Sequence, residues 1–178
     1  MILAVAGRRI DAVDAKSMRF PIESIEQVNR AVGVLLKDNR VTTVVSSAAC
    51  GADLIVLSEA GKLNLRRRVV LPFNRQEFRE KSVTDRPGEW GALYDNILDD
   101  VSAEGDLVVL TNLGEADPFI AASERILDEA TALGREEHEP ISAAIFWDGT
   151  ERGEPDYTAE FAKDARRRGL VVIEVPTL

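Results

Sequence analysis

Short, continuous apolar runs alternate along this chain with longer segments in which apolar positions recur every three to four residues. Ile2–Ala6, Thr42–Ser47, Arg68–Phe73, Asp106–Thr111, Ser142–Trp147 and Val171–Val175 read as strands, most of them buried Val/Ile/Leu/Ala runs. Between them, Glu23–Lys37 places Ile25, Val28, Ala31, Val32 and Leu35 at helical spacing, and Asp53–Leu63, Glu89–Ser102 and Thr158–Arg168 are read as further helices. Asp117-Pro118 predicts another helix start, with Asp as N-cap and Pro at the first helical position. That helix is expected to reach about Leu133 and to stop at Gly134, as Gly169 stops the last one.

Strands separated by helices predict an α/β protein: a three-layer, doubly wound, mostly parallel sheet of about six strands, read as one domain over residues 1–178. Ligands of such sheets sit beyond the carboxyl ends of the strands, where the winding reverses. The candidate loops all follow a strand's carboxyl end. After the first strand comes Gly7-Arg8-Arg9, where glycine permits close backbone approach and an arginine can pair bidentately with phosphate. After the second comes Ser46-Ser47-Ala48-Ala49-Cys50-Gly51-Ala52-Asp53, a small-residue turn opening a helix whose amides and dipole favour an anion. After the fifth comes Asp148–Glu160, rich in glycine and acid and opening a helix at Tyr157-Thr158. Each also has a plainer reading: a turn with solvated charges, a tight packing turn, and a surface loop.

Composition narrows the partners. The net charge of −9 argues against gripping nucleic acid through its phosphates, so a nucleic-acid partner is not expected. A single cysteine excludes an internal disulfide and fits a cytoplasmic location. Met1–Ala6 is too short for a signal peptide, and no apolar run approaches the ~18 residues of a membrane span. No cofactor is expected, and no metal site is legible, because acids scattered along a loop are not a coordination pattern.

Taken in order, the loops resemble the SMF/LOG (SLOG) superfamily of Rossmann-like nucleotide-binding domains, which includes the DNA-processing (SMF) and LONELY GUY proteins. Gly7-Arg8-Arg9 is similar to the Gly-Ser-Arg of the DNA-processing proteins, and Ser46–Asp53 to their Ser-Gly-x-Ala-x-Gly-Ile-Asp. Thr158-Ala159 through Val175-Pro176 resembles their closing helix and strand. With Leu71-Pro72-Phe73 and Trp147-Asp148-Gly149, the chain looks still more like a bacterial branch found alone or fused to signalling and defence modules. The resemblance spans residues 2–176 and implies a nucleotide-like small-molecule partner and a homodimer. It implies ligand contacts at Gly7, Arg8, Arg9, Ser46, Ser47, Gly51, Asp53, Asp148, Gly149 and Thr158. The Gly-Gly-Thr of that branch is replaced by Pro155-Asp156-Tyr157-Thr158, and the catalytic glutamate of LONELY GUY enzymes falls at Phe161. Glu160, one position early, is rotated by about 100° on a helix.

These readings lead first to a nucleotide or nucleotide-derivative binding domain, a ligand sensor or module without its own turnover. The alternatives are a phosphoribohydrolase or N-glycosidase with Glu160 or Asp156 as its acid, and a single-stranded DNA-binding protein. Four other features have two readings each. Cys50, just before a helix start, is either an activated thiol or a small turn residue. The long polar connection from Asn74 to Tyr94 is read as a lid in which Phe78, Trp90 or Tyr94 stacks on a base, or else as a carrier of core aromatics. His138 is expected in a solvated loop. The triplets Arg66–Arg68 and Arg166–Arg168 are expected as solvated helix ends at the amino edge of the sheet.

Overall fold

A computed structural model describes residues 1–178 except Asn112 and Glu154. Six parallel strands form one sheet: β1 (Ile2–Gly7), β2 (Thr43–Ser46), β3 (Arg66–Leu71), β4 (Leu107–Val109), β5 (Ile141–Trp147) and β6 (Val171–Pro176), in the order β4-β3-β2-β1-β5-β6. The helices are α1 (Ile25–Asp38), α2 (Ala52–Lys62), α3 (Arg75–Ser82), α4 (Trp90–Ala103), α5 (Pro118–Glu137) and α6 (Tyr157–Arg167). The expected three-layer, doubly wound α/β architecture is therefore present, and every strand pair is parallel.

The period-2 alternation of side chains divides the core in two. Leu3, Val5, Val44, Val69 and Leu71 pack with α1, α2 and α4 on one face. Ile2, Ala4, Val45, Val70 and Ile145 pack with α5 and α6 on the other. Strands one to four advance in one direction, and the chain then returns through α5 to place β5 beside β1. The winding thus reverses between β1 and β5, whose ends are in register at Gly7 and Phe146. Their outgoing loops leave side by side, which is where doubly wound sheets take ligands.

The structure corrects several expected boundaries. The Asn74–Tyr94 connection is not a polar excursion: it holds α3, whose N-cap Asn74 accepts a hydrogen bond from the Glu77 amide at 3.0 Å. Gly134 does not stop α5. It lies inside the helix, where a Cβ would come within 2.4 Å of Ile141 Cγ1, so its role is close approach of α5 to β5. The helix ends instead at His138, exposed and left-handed with φ 56°. Arg66–Arg68 are not a helix end but the first half of β3. Arg66 and Arg68 converge on Asp106 at 2.8 Å, and Arg68 also reaches Glu129 at 2.5 Å. With Asp100 of α4, which takes Arg67 at 3.1 Å, carboxylates from the turn before β4 and from α5 let a strand begin with three charges. Arg166–Arg168 do lie at the exposed end of α6, paired with nearby acids. Among the described residues no helix is long and apolar enough to cross a membrane.

Candidate ligand-binding cleft

Beyond the carboxyl ends of β1, β2 and β3 lies a cleft of about 690 Å³, within the size range of small-molecule sites. Gly7, Ser47, Asp53 and Pro72 line it at the strand ends, and Phe119, Ala122, Ser123 and Ile126 of α5 form an apolar wall. The loop after β1 contributes Asp11, Ala12, Ala15, Lys16, Ser17 and Arg19, and Arg152, Tyr157 and Thr158 close the side beside β5. Seven basic side chains (Arg8, Arg9, Lys16, Arg19, Lys81, Arg86, Arg152) face two acidic ones (Asp11, Asp53) among the described residues lining it. Five of the seven are paired with carboxylates that do not line the cleft: Arg8 with Asp148 and Asp156, Arg19 with Asp148, Arg9 and Arg86 with Asp85, and Lys81 with Glu77.

Arg8 is fully buried and its guanidinium is engaged within the protein. Nε donates to Asp148 Oδ1 at 2.9 Å, Nη1 to Asp156 Oδ1 at 2.5 Å, and Nη2 to Asp156 Oδ2 at 2.9 Å and to the Thr150 carbonyl at 2.7 Å. Asp148 also receives Arg19 at 2.8 Å, so the two arginines fasten the loop after β5 to the loop after β1. Burial would raise the Asp156 carboxyl, but Arg8 and the Arg152 and Ala159 amides outweigh it and hold it down at about 2. Asp156 is also the N-cap of α6, accepting the Ala159 amide at 3.1 Å. It is an ionised structural carboxylate, and an acid with so low a value has no proton to donate near neutrality.

The small-residue turn after β2 is likewise closed by the protein's own backbone. Gly51 has φ +100°, and a Cβ there would lie 2.8 Å from both the Arg8 carbonyl oxygen and the Ile10 nitrogen. The close approach that requires glycine is thus to the loop after β1. Around it, the Cys50 amide donates to Ser82 O at 2.9 Å and the Ala52 amide to Arg8 O at 3.2 Å. Cys50 is buried, and burial pushes its thiol up despite the nearby Arg9 charge. It is the small turn residue rather than an activated thiol, because the loss of water outweighs the helix dipole.

Of the ligand contacts expected from sequence, Gly7, Arg8, Arg9, Ser47, Asp53 and Thr158 line the cleft, whereas Ser46, Gly51, Asp148 and Gly149 do not. Ser46 is buried in β2 and donates to Val5 O at 3.2 Å. Gly149 is exposed. Glu160 is exposed, pairs with Lys163 at 2.9 Å, and borders a separate small groove. Glu154 lies outside the described residues. Trp90 and Tyr94 are core aromatics: Trp90 Nε1 donates to Pro87 O at 2.9 Å, and Tyr94 stacks on Phe78 with 6.2 Å between centroids. Phe78 is buried as well, though it borders the cleft. Motif reading passes over Arg19, Arg86 and Arg152, and over the aromatic pair Phe119–Tyr157, whose rings lie 5.2 Å apart. The last pair had a partial signal, since both residues sit in first turns of helices marked by Asp117-Pro118 and Asp156.

Arg9, Arg86 and Asp53 stand apart. Each has a buried polar atom (Nε, Nε and Oδ1 respectively) that makes no hydrogen bond, Arg86 Nε having only the Asp85 carboxylate at 3.5 Å, and all three residues line the cleft. Buried polar atoms are nearly always satisfied, so three such atoms on the residues of one cleft are unusual. Burial raises the Asp53 carboxyl to about 7, against the amides of Ala49 and Gly7 and the charge of Arg9. Among the described residues no group of three or more His, Cys, Asp or Glu is gathered to hold a metal ion.

The fold and cleft define a Rossmann-like α/β protein with a basic, aromatic-walled cleft at its topological switch point. No family model matches the chain, and no curated protein matches it. Among solved structures it is similar to DNA processing protein A (DprA) from Streptococcus pneumoniae, with TM-score 0.40 and 12% identity over 95% of this chain and 62% of that one. The chain therefore spans less than two thirds of that protein's length.

Proposed function

We propose that this chain binds an anionic small molecule of the nucleotide class in the cleft and works as a ligand-binding or ligand-sensing module. The observation that carries this reading is the grouping of three unsatisfied buried polar atoms in one basic cleft of an acidic protein. Arg9 and Arg86 offer donors to an anionic group, and Phe119 beside Tyr157 offers an aromatic face to a base. Arg152 adds to the attraction: desolvation and the guanidiniums of Arg8, Arg19 and Arg86 pull its pKa below the usual arginine value, so an anion there relieves repulsion. This differs from the sequence expectation in the clamp, which moves from Arg8 to Arg9 and Arg86. The hydrolase alternative loses its proposed acids, since Asp156 is held ionised by Arg8 and Glu160 lies outside the cleft.

A thermal-shift panel of nucleoside mono-, di- and triphosphates, dinucleotides and short single-stranded oligonucleotides tests it, with mass spectrometry of each ligand afterwards. At a ligand concentration of 100 Kd, a binder raises the melting temperature by about 5–10 °C. Phe119→Ala is expected to weaken the same ligand by roughly 1–3 kcal/mol if a base stacks there. Intact ligand after incubation supports the module. Released base would make the protein an enzyme, and a shift confined to oligonucleotides would move it to the DNA-binding alternative.

A further inference from the structure

The Asp53 side chain is the unusual member of the cleft. It is 6% exposed, lies in the first turn of α2, and keeps Oδ2 on the Ala49 amide at 3.3 Å; the Gly7 amide also bears on the carboxyl, but Oδ1 makes no hydrogen bond. The charge that bears on it comes from Arg9, on the loop after β1. Arg9 is itself drawn to Asp85, on the connection between α3 and α4, to which Arg86 also pairs at 3.5 Å. Asp53 therefore has no cation committed to it, and it shares a cleft with the two donors offered to an anion. An ionised carboxylate there would repel the very group that Arg9 and Arg86 attract. A carboxylic acid would instead donate an O–H to one of the anion's oxygens.

Resting on the reading of the cleft as an anion site, we propose that Asp53 binds in its protonated form, donating from Oδ1 to the anion held by Arg9 and Arg86, so that one proton is taken up with the ligand. Starting from about 7 in the empty cleft, the Asp53 carboxyl is raised further by the incoming negative charge. The sign follows from linkage: affinity is greatest below about pH 7 and falls as the pH rises through that value, because the free protein then has to regain a proton to bind. The other acid of the cleft, Asp11, accepts the Arg19 and Phe20 amides at 2.9 and 3.1 Å. His138 is at the exposed end of α5, and the Met1 ammonium is bound to Glu139 at the amino edge of the sheet. The Cys50 thiol, close to Arg9, is displaced upward by burial.

Inorganic sulfate, which keeps its charge across this range, is the probe. Titrations followed by amide chemical shifts at pH 6 and pH 8 are expected to give a Kd about tenfold weaker at pH 8, one decade for one proton over the relevant unit of pH. Asp53→Asn keeps an acceptor for the Ala49 amide and a permanent donor for the anion, so its affinity is expected to be the same at both pH values. Arg86→Gln weakens sulfate at both. Carbon-13 carboxyl titration of the wild-type protein with and without sulfate checks the point without a variant: the Asp53 midpoint moves upward with sulfate. Sulfate binding in the cleft with an unmoved or lowered Asp53 midpoint, or with affinity that improves as pH rises, overturns this inference alone. No sulfate effect on cleft resonances at either pH overturns it together with the anion-site reading.

Discussion

Arg8→Met is expected to destabilise the protein by roughly 3–5 kcal/mol, because it leaves the buried Asp156 carboxylate without its cation and Asp148 with Arg19 alone. Asp148 and Asp156 are 4% and 6% exposed, and neither can reach bulk water without undoing the loop after β5 or the cap of α6. For a chain of this length the cost corresponds to a fall of about 6–20 °C in melting temperature. The double variant Arg8→Met, Asp156→Asn is expected to recover much of it, since Asp148 keeps Arg19 and no charge is then stranded. The pH dependence has a definite sign. The Asp156 carboxyl is held at about 2 in the folded protein against an ordinary value of 3.8. Its contribution is therefore complete above about pH 4 and is lost as the pH falls through 2. Denaturant unfolding at pH 7 and pH 2.5 should show the wild type and Arg8→Met drawing closer at the lower pH. An Arg8→Met protein as stable as the wild type at neutral pH would mean that Arg8 is free to act as a ligand clamp after all.

Gly51→Ala is expected to cost about 2–4 kcal/mol with no ligand present. The backbone at Gly51 (φ 100°, ψ −128°) is one that side-chain-bearing residues rarely adopt, and the added Cβ would meet two backbone atoms that have no rotamer to change. The loop after β1 would have to lift off α2, breaking the Ala52 amide bond to Arg8 O. Gly33→Ala is the matched control: it lies in α1 with nothing within 4 Å of its added Cβ and is expected to stabilise by about 0.5–1 kcal/mol. Calorimetric unfolding of the two variants separates the cases. An unchanged stability for Gly51→Ala with lost nucleotide binding would return Gly51 to the role of a phosphate cradle.

Much of the scaffold is legible in the chain because its causes are local. Continuous apolar runs flanked by polar turns mark the strands, and Asp117-Pro118 fixes the start of α5 since the cap bonds to the amides of Phe119 and Ile120 just beyond it. The location of the cleft is legible for a related reason: a doubly wound sheet brings the loops after β1, β2 and β5 to one end whatever their residues. What fails is whatever depends on distant partners. Arg8 reads as an available cation because Asp148 and Asp156 are 140 and 148 residues away. Gly51 reads as an opening for a ligand because the backbone it touches belongs to another loop. Helix α3 is hidden because Phe78 and Ser82 are its only buried residues, too few to establish a period among Arg75-Gln76-Glu77-Phe78-Arg79-Glu80-Lys81-Ser82. Asp53 was in view from the start, but its unsatisfied oxygen and raised carboxyl come from burial, which no spacing reveals.

We propose that the cleft at the β1/β5 reversal holds an anionic nucleotide-class ligand. Amide chemical-shift mapping with the nucleotide that gives the largest thermal shift tests it most directly. Perturbations are expected at Gly7, Arg9, Ser47, Asp53, Phe119 and Thr158, with the Arg66–Asp106–Glu129 cluster at the amino edge unmoved. Perturbations centred on that opposite edge, or on the groove beside Glu160, would contradict it.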